Sequence, residues 1–215
     1  MNKGKLIIFD WGGVIESHRV GESNIFSAII RVMKRMECKF NDEIMIQKYN
    51  NSSNNGVVIG TINDICEVKK WYEIIKEDFG ISKTFNEFVS VYEEEFSKVY
   101  YYKEVIELIN AIKDKCQLGI LSNLIYIDKN RLDSQVNLSR FDYVWLSFEL
   151  GYIKPQEEIY KIVENDCQIN ANNILFIDDS RDNILMAKKR GWCTCQSYGY
   201  ELDIIKKSVV DFLDK

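Results

Sequence analysis

The chain has 215 residues, 46% hydrophobic and 28% charged, a globular balance that excludes wholesale disorder. Lys and Arg number 28 against 33 Asp and Glu, a net charge of −5, and no Lys/Arg cluster stands out. Neither a nucleic-acid partner nor a basic membrane-surface helix is expected.

The first apolar run, Leu6–Phe9, stops at Asp10, short of the about 7–15 residues of a signal h-region. No later run approaches the roughly 18 residues of a membrane span. A cytoplasmic protein is expected, with its six cysteines reduced and mostly buried.

Leu6–Phe9 reads as a strand apolar on both faces, which suits the centre of a parallel sheet. From about Glu16 to Val99 no buried strand is expected. Three helical stripes are: Ile25, Ile29, Val32 and Met36; then Ile65, Val68, Tyr72, Ile75 and Phe79; then Phe85, Phe88, Tyr92 and Phe96. Thr84-x-x-Glu87 predicts a capping box opening the third. Helix Val105, Leu108, Ile112 follows, then strands at Leu118–Leu121, Tyr143–Leu146, Ile174–Ile177 and Trp192–Gln196. A further helix follows Ser180, with Gly191 placed to end it. Strand–helix alternation predicts a three-layer, Rossmann-like α/β core formed by residues 1–15 and 100–215. An all-helical cap, residues 16–99, is inserted after the first strand, where open parallel sheets bind ligands.

The polar residues follow the strands. Asp10-Trp11-Gly12-Gly13-Val14 succeeds the first, Ser122-Asn123 the second and Asp178-Asp179-Ser180 the fourth, while Gly151-Tyr152-Ile153-Lys154-Pro155 precedes a helix. In a parallel sheet these tips share one edge. Carboxylates, a hydroxyl, an amide and an ammonium would then converge there.

In order and spacing these four stretches resemble the motifs of the haloacid dehalogenase superfamily, in its phosphatase-like members with a helical cap. The third carries the tail Ile159-Tyr160, and the fourth runs on to Asn183 and Ala187. The resemblance implies a magnesium-dependent hydrolase of a small phosphorylated metabolite. In it Asp10 is the nucleophile and a metal ligand, and Asp179 and the Gly12 carbonyl are further ligands. Asp178 and Asn183 support the metal, Ser122 and Asn123 hold phosphoryl oxygens, and Lys154 neutralises charge on Asp10 and phosphate. Backbone N–H groups near Trp11 and Gly12 complete the cradle. Magnesium's preference for oxygen ligands suits such a site.

One position departs from the pattern. Most family phosphatases carry a second Asp two residues after the nucleophile, as acid and base, and here that position is Gly12. Losing such a group typically costs about 10²–10⁴ in rate. Good leaving groups, such as acyl, aryl or anomeric sugar phosphates, would suffer least. Alternative readings are a phosphate-ligand or protein-binding module, a dehalogenase, and a phosphonate hydrolase using a cap lysine such as Lys34, Lys39 or Lys48. His18 and Glu16 are candidates for the missing proton transfer. Arg131, Arg140 and Arg181 read as helix-surface residues.

Overall fold

The computed structural model describes residues 4–17, 24–44, 59–129, 131–132 and 136–215. His18 and Lys48 lie outside them.

Five strands form one parallel sheet: β1 (Leu6–Phe9), β2 (Gln117–Ser122), β3 (Tyr143–Leu146), β4 (Ile174–Asp178) and β5 (Cys193–Gln196), in the order β3-β2-β1-β4-β5. The all-apolar run Leu6–Phe9 takes the central place, fully buried between β2 and β4. Register aligns Phe9 with Ile120 on one side and Ile177 on the other. Asp10, Ser122 and Asp178 therefore emerge at one carboxyl edge. Leu6, Ile8, Phe176 and Trp145 pack on one face, and Ile7, Phe9, Leu118, Ile120 and Ile177 on the other. That split follows from the two-residue period of a strand.

The segment between β1 and β2 holds α1 (Ile25–Arg35), α2 (Ile65–Phe79), α3 (Phe85–Phe96) and α4 (Lys103–Ile112). Asn24 caps α1, Asp64 caps α2, and Thr84 with Glu87 forms the expected capping box on α3. The stripes of α1, α2 and α3 bury into a cluster of their own that includes Val32, Trp71, Phe88 and Phe96. Ile125 and Ile127, from the loop after β2, join that cluster. Ile65 departs from its stripe and is 44% exposed, because it opens α2 directly after the cap residue. Cys66 beside it is also exposed, unlike the buried Cys116, Cys167 and Cys195.

Chain leaves and re-enters the α/β layer along paired backbones. Ser17 N–H donates to Tyr100 O at 2.9 Å and Tyr102 N–H to Ile15 O at 3.0 Å. Helices α5 (Ser147–Leu150), α6 (Glu157–Cys167), α7 (Arg181–Lys189) and α8 (Leu202–Leu213) complete the layers. Among the described residues no helix is long and apolar enough to cross a membrane.

Candidate active site

Asp10 follows the last residue of β1, and its own N–H still donates to Ile177 O at 2.9 Å, continuing the sheet. Its carboxylate accepts Trp11 N–H at 2.6 Å and meets Lys154 Nζ at 2.8 Å. The same ammonium lies 2.7 Å from Asp178 Oδ2, at the end of β4. Lys154 is 3% exposed and Asp178 is fully buried. The ammonium is thus a buried bridge between two strand ends.

Asp178 is engaged on both oxygens. Oδ1 accepts Ser180 N–H at 2.8 Å and Asn183 Nδ2 at 3.1 Å, and Oδ2 accepts Asn183 Nδ2 at 3.0 Å besides the lysine. Tyr160 Oη in turn donates to Asn183 O at 3.1 Å. Asp179, half-buried, completes a group in which one oxygen each from Asp10, Asp178 and Asp179 lies within 4.8 Å of the others.

Gly13 lets this group close up. It has φ +80°, and a Cβ there would lie 2.5 Å from the Asp179 carboxyl. The Gly12–Gly13 turn therefore rests against Asp179.

Electrostatics follow from the count. Three carboxylates gather at an ammonium that pairs with two of them. Burial holds the Asp10 carboxyl well above the usual carboxylate range, and repulsion from Asp178 and Asp179 adds to this against the pull of Lys154. For Lys154, burial favours the neutral amine, but Asp10 and Asp178 outweigh it and keep the ammonium more basic than usual. An all-oxygen set of carboxylates fits a hard divalent cation.

Ser122 ends β2 at 2% exposure, on the same edge. Asn123 has a role that motif spacing does not disclose. Its side chain clamps the backbone of Lys154, accepting Lys154 N–H at 2.8 Å and donating to Lys154 O at 2.9 Å. The side chain that follows the second strand thereby fixes the loop carrying the ammonium. Trp11 is fully buried, edge-on to Tyr101 with centroids 5.8 Å apart.

Arg131 is not a surface residue. It is 8% exposed and bonds Glu16, which is fully buried. Arg131 also meets Asp128 Oδ1 at 3.0 Å and Tyr101 Oη at 3.1 Å. Glu16 is held by Arg131 and by Tyr101 Oη at 3.1 Å, and its carbonyl accepts Gly13 N–H at 2.7 Å. Arg140 and Arg181 are partly to fully exposed, as expected of surface positions. Beside this cluster a cavity of about 180 Å³ opens between the helical segment, through Ile25, Tyr92 and Phe96, and the sheet layer, through Asn123, Asp128 and Arg131. Neither described cap lysine proposed for Schiff-base chemistry lines it. Lys34 is exposed and paired to Asp42 at 2.8 Å, and Lys39 is exposed.

Residues 55 long are 36% identical to D-ribitol-5-phosphate phosphatase of Bacteroides thetaiotaomicron, spanning 26% of this chain and 27% of that protein. A stretch of 54 residues is 35% identical to bifunctional epoxide hydrolase 2 of Rattus norvegicus, over 25% of this chain and 10% of that protein. The matched stretches thus span about a quarter or less of these curated relatives. Among solved structures, the family enzyme BT-2542 of Bacteroides thetaiotaomicron aligns with TM-score 0.70 at 20% identity, over 90% of this chain and 93% of that one. The wild-type form of that enzyme in complex with magnesium and inorganic phosphate aligns with TM-score 0.62 at 19% identity, over 88% and 92%. L-2-haloacid dehalogenase of Xanthobacter autotrophicus aligns with TM-score 0.64 at 15% identity, over 88% and 76%. These structural likenesses carry the fold. The family model for haloacid dehalogenase-like hydrolases matches residues 7–196, nearly the whole chain, and the protein therefore belongs to the haloacid dehalogenase-like hydrolase family.

Proposed function

We propose that the protein is a magnesium-dependent phosphohydrolase that acts on a small phosphorylated metabolite through an aspartyl-phosphate on Asp10, with residues 16–99 as its cap. The observation that carries this reading is the buried Asp10–Lys154–Asp178 bridge beside Asp179. The phosphatase among the curated relatives, and the magnesium and phosphate in a structural neighbour, support it.

Asp10 and Asp179, with the Gly12 carbonyl, would hold the cation, and Asp178 would orient the set through Asn183 and Lys154. When bound, magnesium supplies positive charge that lowers the repulsion between a phosphoryl group and a carboxylate. Asp10 attacks phosphorus with one carboxylate oxygen, and the bond from phosphorus to the leaving oxygen breaks. Lys154 holds its ammonium against Asp10 throughout, and Ser122 donates a hydrogen bond to a phosphoryl oxygen. Water then attacks the phosphoryl group on Asp10, which releases inorganic phosphate and restores the carboxylate. Residue 12 brings no side-chain acid, so the leaving oxygen departs unaided or takes its proton from water. Acyl, aryl and anomeric phosphates are accordingly the better substrates.

The test is phosphate release from acetyl phosphate with magnesium. Asp10→Asn should lower it by about 10⁴-fold or more, since a carboxamide cannot form the intermediate. Activity retained in that variant would refute the nucleophile. Gly12→Asp should raise turnover of alkyl phosphates by about 10²-fold while acetyl phosphate changes less. Wild-type protein that binds magnesium yet releases phosphate from no substrate would point instead to the binding-module reading, which rests on the missing carboxyl at Gly12.

A further inference from the structure

One turn of the segment between β1 and β2, Ile59–Thr61, reaches down to the sheet layer. Gly60 is the point of contact. A Cβ there would lie 2.6 Å from Ile153 Cγ2 and 3.2 Å from Ser147 Oγ, so the approach needs a residue without a side chain. Ile153 directly precedes Lys154. Just beyond the turn, Ile62 O accepts Tyr126 N–H at 3.0 Å, from the loop after β2. Ile62 is buried with Ile125 and Ile127 of that loop.

Ser147, fully buried where α5 follows β3, is the node. Its hydroxyl accepts Leu124 N–H at 3.0 Å and faces two carbonyls, Gly60 O and, at 3.1 Å, Leu124 O. A serine hydroxyl has one proton, so the two carbonyls compete for it. Leu124 follows Asn123, whose side chain grips the Lys154 backbone at both N–H and C=O. A continuous line therefore runs from Gly60 through Ser147, Leu124 and Asn123 to Lys154, whose ammonium pairs with Asp10 and Asp178.

The competition makes the contact reversible. If the turn lifts, Gly60 O meets water and the hydroxyl proton passes to Leu124 O, so no buried donor is stranded. Leu124 N–H keeps its acceptor in both arrangements. Docked, the turn braces the grip of Asn123 on Lys154 from two sides, through Ile153 next to Lys154 and through Ser147 next to Leu124. Lifted, it leaves that grip to the two loops alone.

We propose that Ile59–Thr61 is a strap that docks reversibly on Ser147, and that Ser147 is a positioning residue through which docking steadies the Asn123–Lys154 grip and hence the ammonium at Asp10. The part that concerns turnover rests on the phosphohydrolase reading.

Amide hydrogen exchange, followed residue by residue by NMR, reads the strap without turnover. Gly60→Ala should lift it, so that Tyr126 N–H exchanges about tenfold faster than in the wild type while Leu124 N–H stays protected. Ser147→Ala should speed both amides. An unchanged Tyr126 amide in Gly60→Ala would overturn the strap. Turnover of acetyl phosphate with magnesium reads the positioning. Each variant should lower kcat by about tenfold, since a misplacement of about 1 Å can cost 10²-fold. In a double-mutant cycle, adding Ser147→Ala to Asn123→Ala should cost less than about twofold more, because both act on one grip. A merely structural serine would give penalties that multiply. That result, or a wild-type kcat in both single variants, would overturn the positioning. If Ser147→Ala does not fold, the cycle of Gly60→Ala with Asn123→Ala answers the same question. Absence of phosphate release by the wild type would overturn the phosphohydrolase reading and the role in turnover, while the exchange rates still decide the strap.

Discussion

Two regions of the molecule bury a carboxylate beside cations, and they use it in opposite ways. At the sheet edge Asp10 and Asp178 share one ammonium, Lys154, beside Asp179. In the helical segment Glu95, 3% exposed, is shared by Arg31 at 2.6 Å, Arg35 at 2.7 Å and Lys98 at 2.9 Å. The first group has acids in excess and draws its charges from three separate loops. The second also holds Glu94, paired to Arg35 at 2.7 Å and Lys98 at 3.0 Å, and draws its charges from α1 and from the end of α3, with the cations reaching in from solvent. An excess of buried negative charge invites a divalent cation. A buried carboxylate ringed by half-exposed cations closes on itself and ties two helices together. Burial of an acid is therefore no mark of chemistry; the ratio of acids to the cations they share is.

The strongest challenge to that contrast is Lys154→Met. The change keeps a long apolar stem and removes the charge that serves both Asp10 and Asp178. Breaking a buried ion pair from one side typically costs about 3–5 kcal/mol, because the other charge is left uncompensated. Urea unfolding should show a loss of that order without magnesium. Millimolar magnesium should return part of it, since a ligand that binds only the native state stabilises by mass action. A loss below about 1 kcal/mol, as for an exposed pair, would erase the distinction between the two regions.

A smaller effect is expected from Gly13→Ala. The left-handed φ of +80° costs an L-residue roughly 1–2 kcal/mol, and the added methyl must displace the Asp179 carboxyl that lies 2.5 Å from its position. Magnesium affinity, measured by calorimetry, should fall by about tenfold, equivalent to about 1.4 kcal/mol. Unchanged affinity would remove Asp179 from the cation site and leave Asp10 and Asp178 alone with Lys154.

How far the sequence discloses each region depends on the range of the signal. Every strand that carries the site is a short apolar run ended by a polar residue, so Asp10, Ser122 and Asp178 are legible within five or six positions. The Thr84–Glu87 capping box is equally local and forms as expected. Arg131 is illegible by the same logic. Its partners Glu16 and Tyr101 lie 115 and 30 residues away in the sequence. Nothing nearby distinguishes it from a surface arginine. Asn123 is half legible: its place beside Ser122 follows from the motif, but its grip on the Lys154 backbone spans 31 residues and needs the fold. Glu95 stands in a run of three glutamates, Glu93-Glu94-Glu95, that reads as a solvated face. Only the helical angle turns the third one inward, where α1 crosses.

That inward glutamate gives the mildest test. Burial alone would raise the Glu95 carboxyl, but hydrogen bonds from Lys98, Arg35 and Arg31 outweigh burial and bring it down to about 2. A folded-state pKa below the unfolded one makes the ionised form stabilising. The contribution is complete above the ordinary value of 4.5 and is lost as pH falls from there toward 2. Glu95→Gln removes the charge and keeps the shape. Its cations remain 34–48% exposed and regain water, so the loss at neutral pH should be only about 1 kcal/mol. Urea unfolding of the two proteins should converge as pH drops from about 5 toward 3, while magnesium affinity stays that of the wild type. A gap that persists at low pH would mean that Glu95 acts through packing, and a change in magnesium affinity would mean that the two charge clusters are coupled across the helical segment.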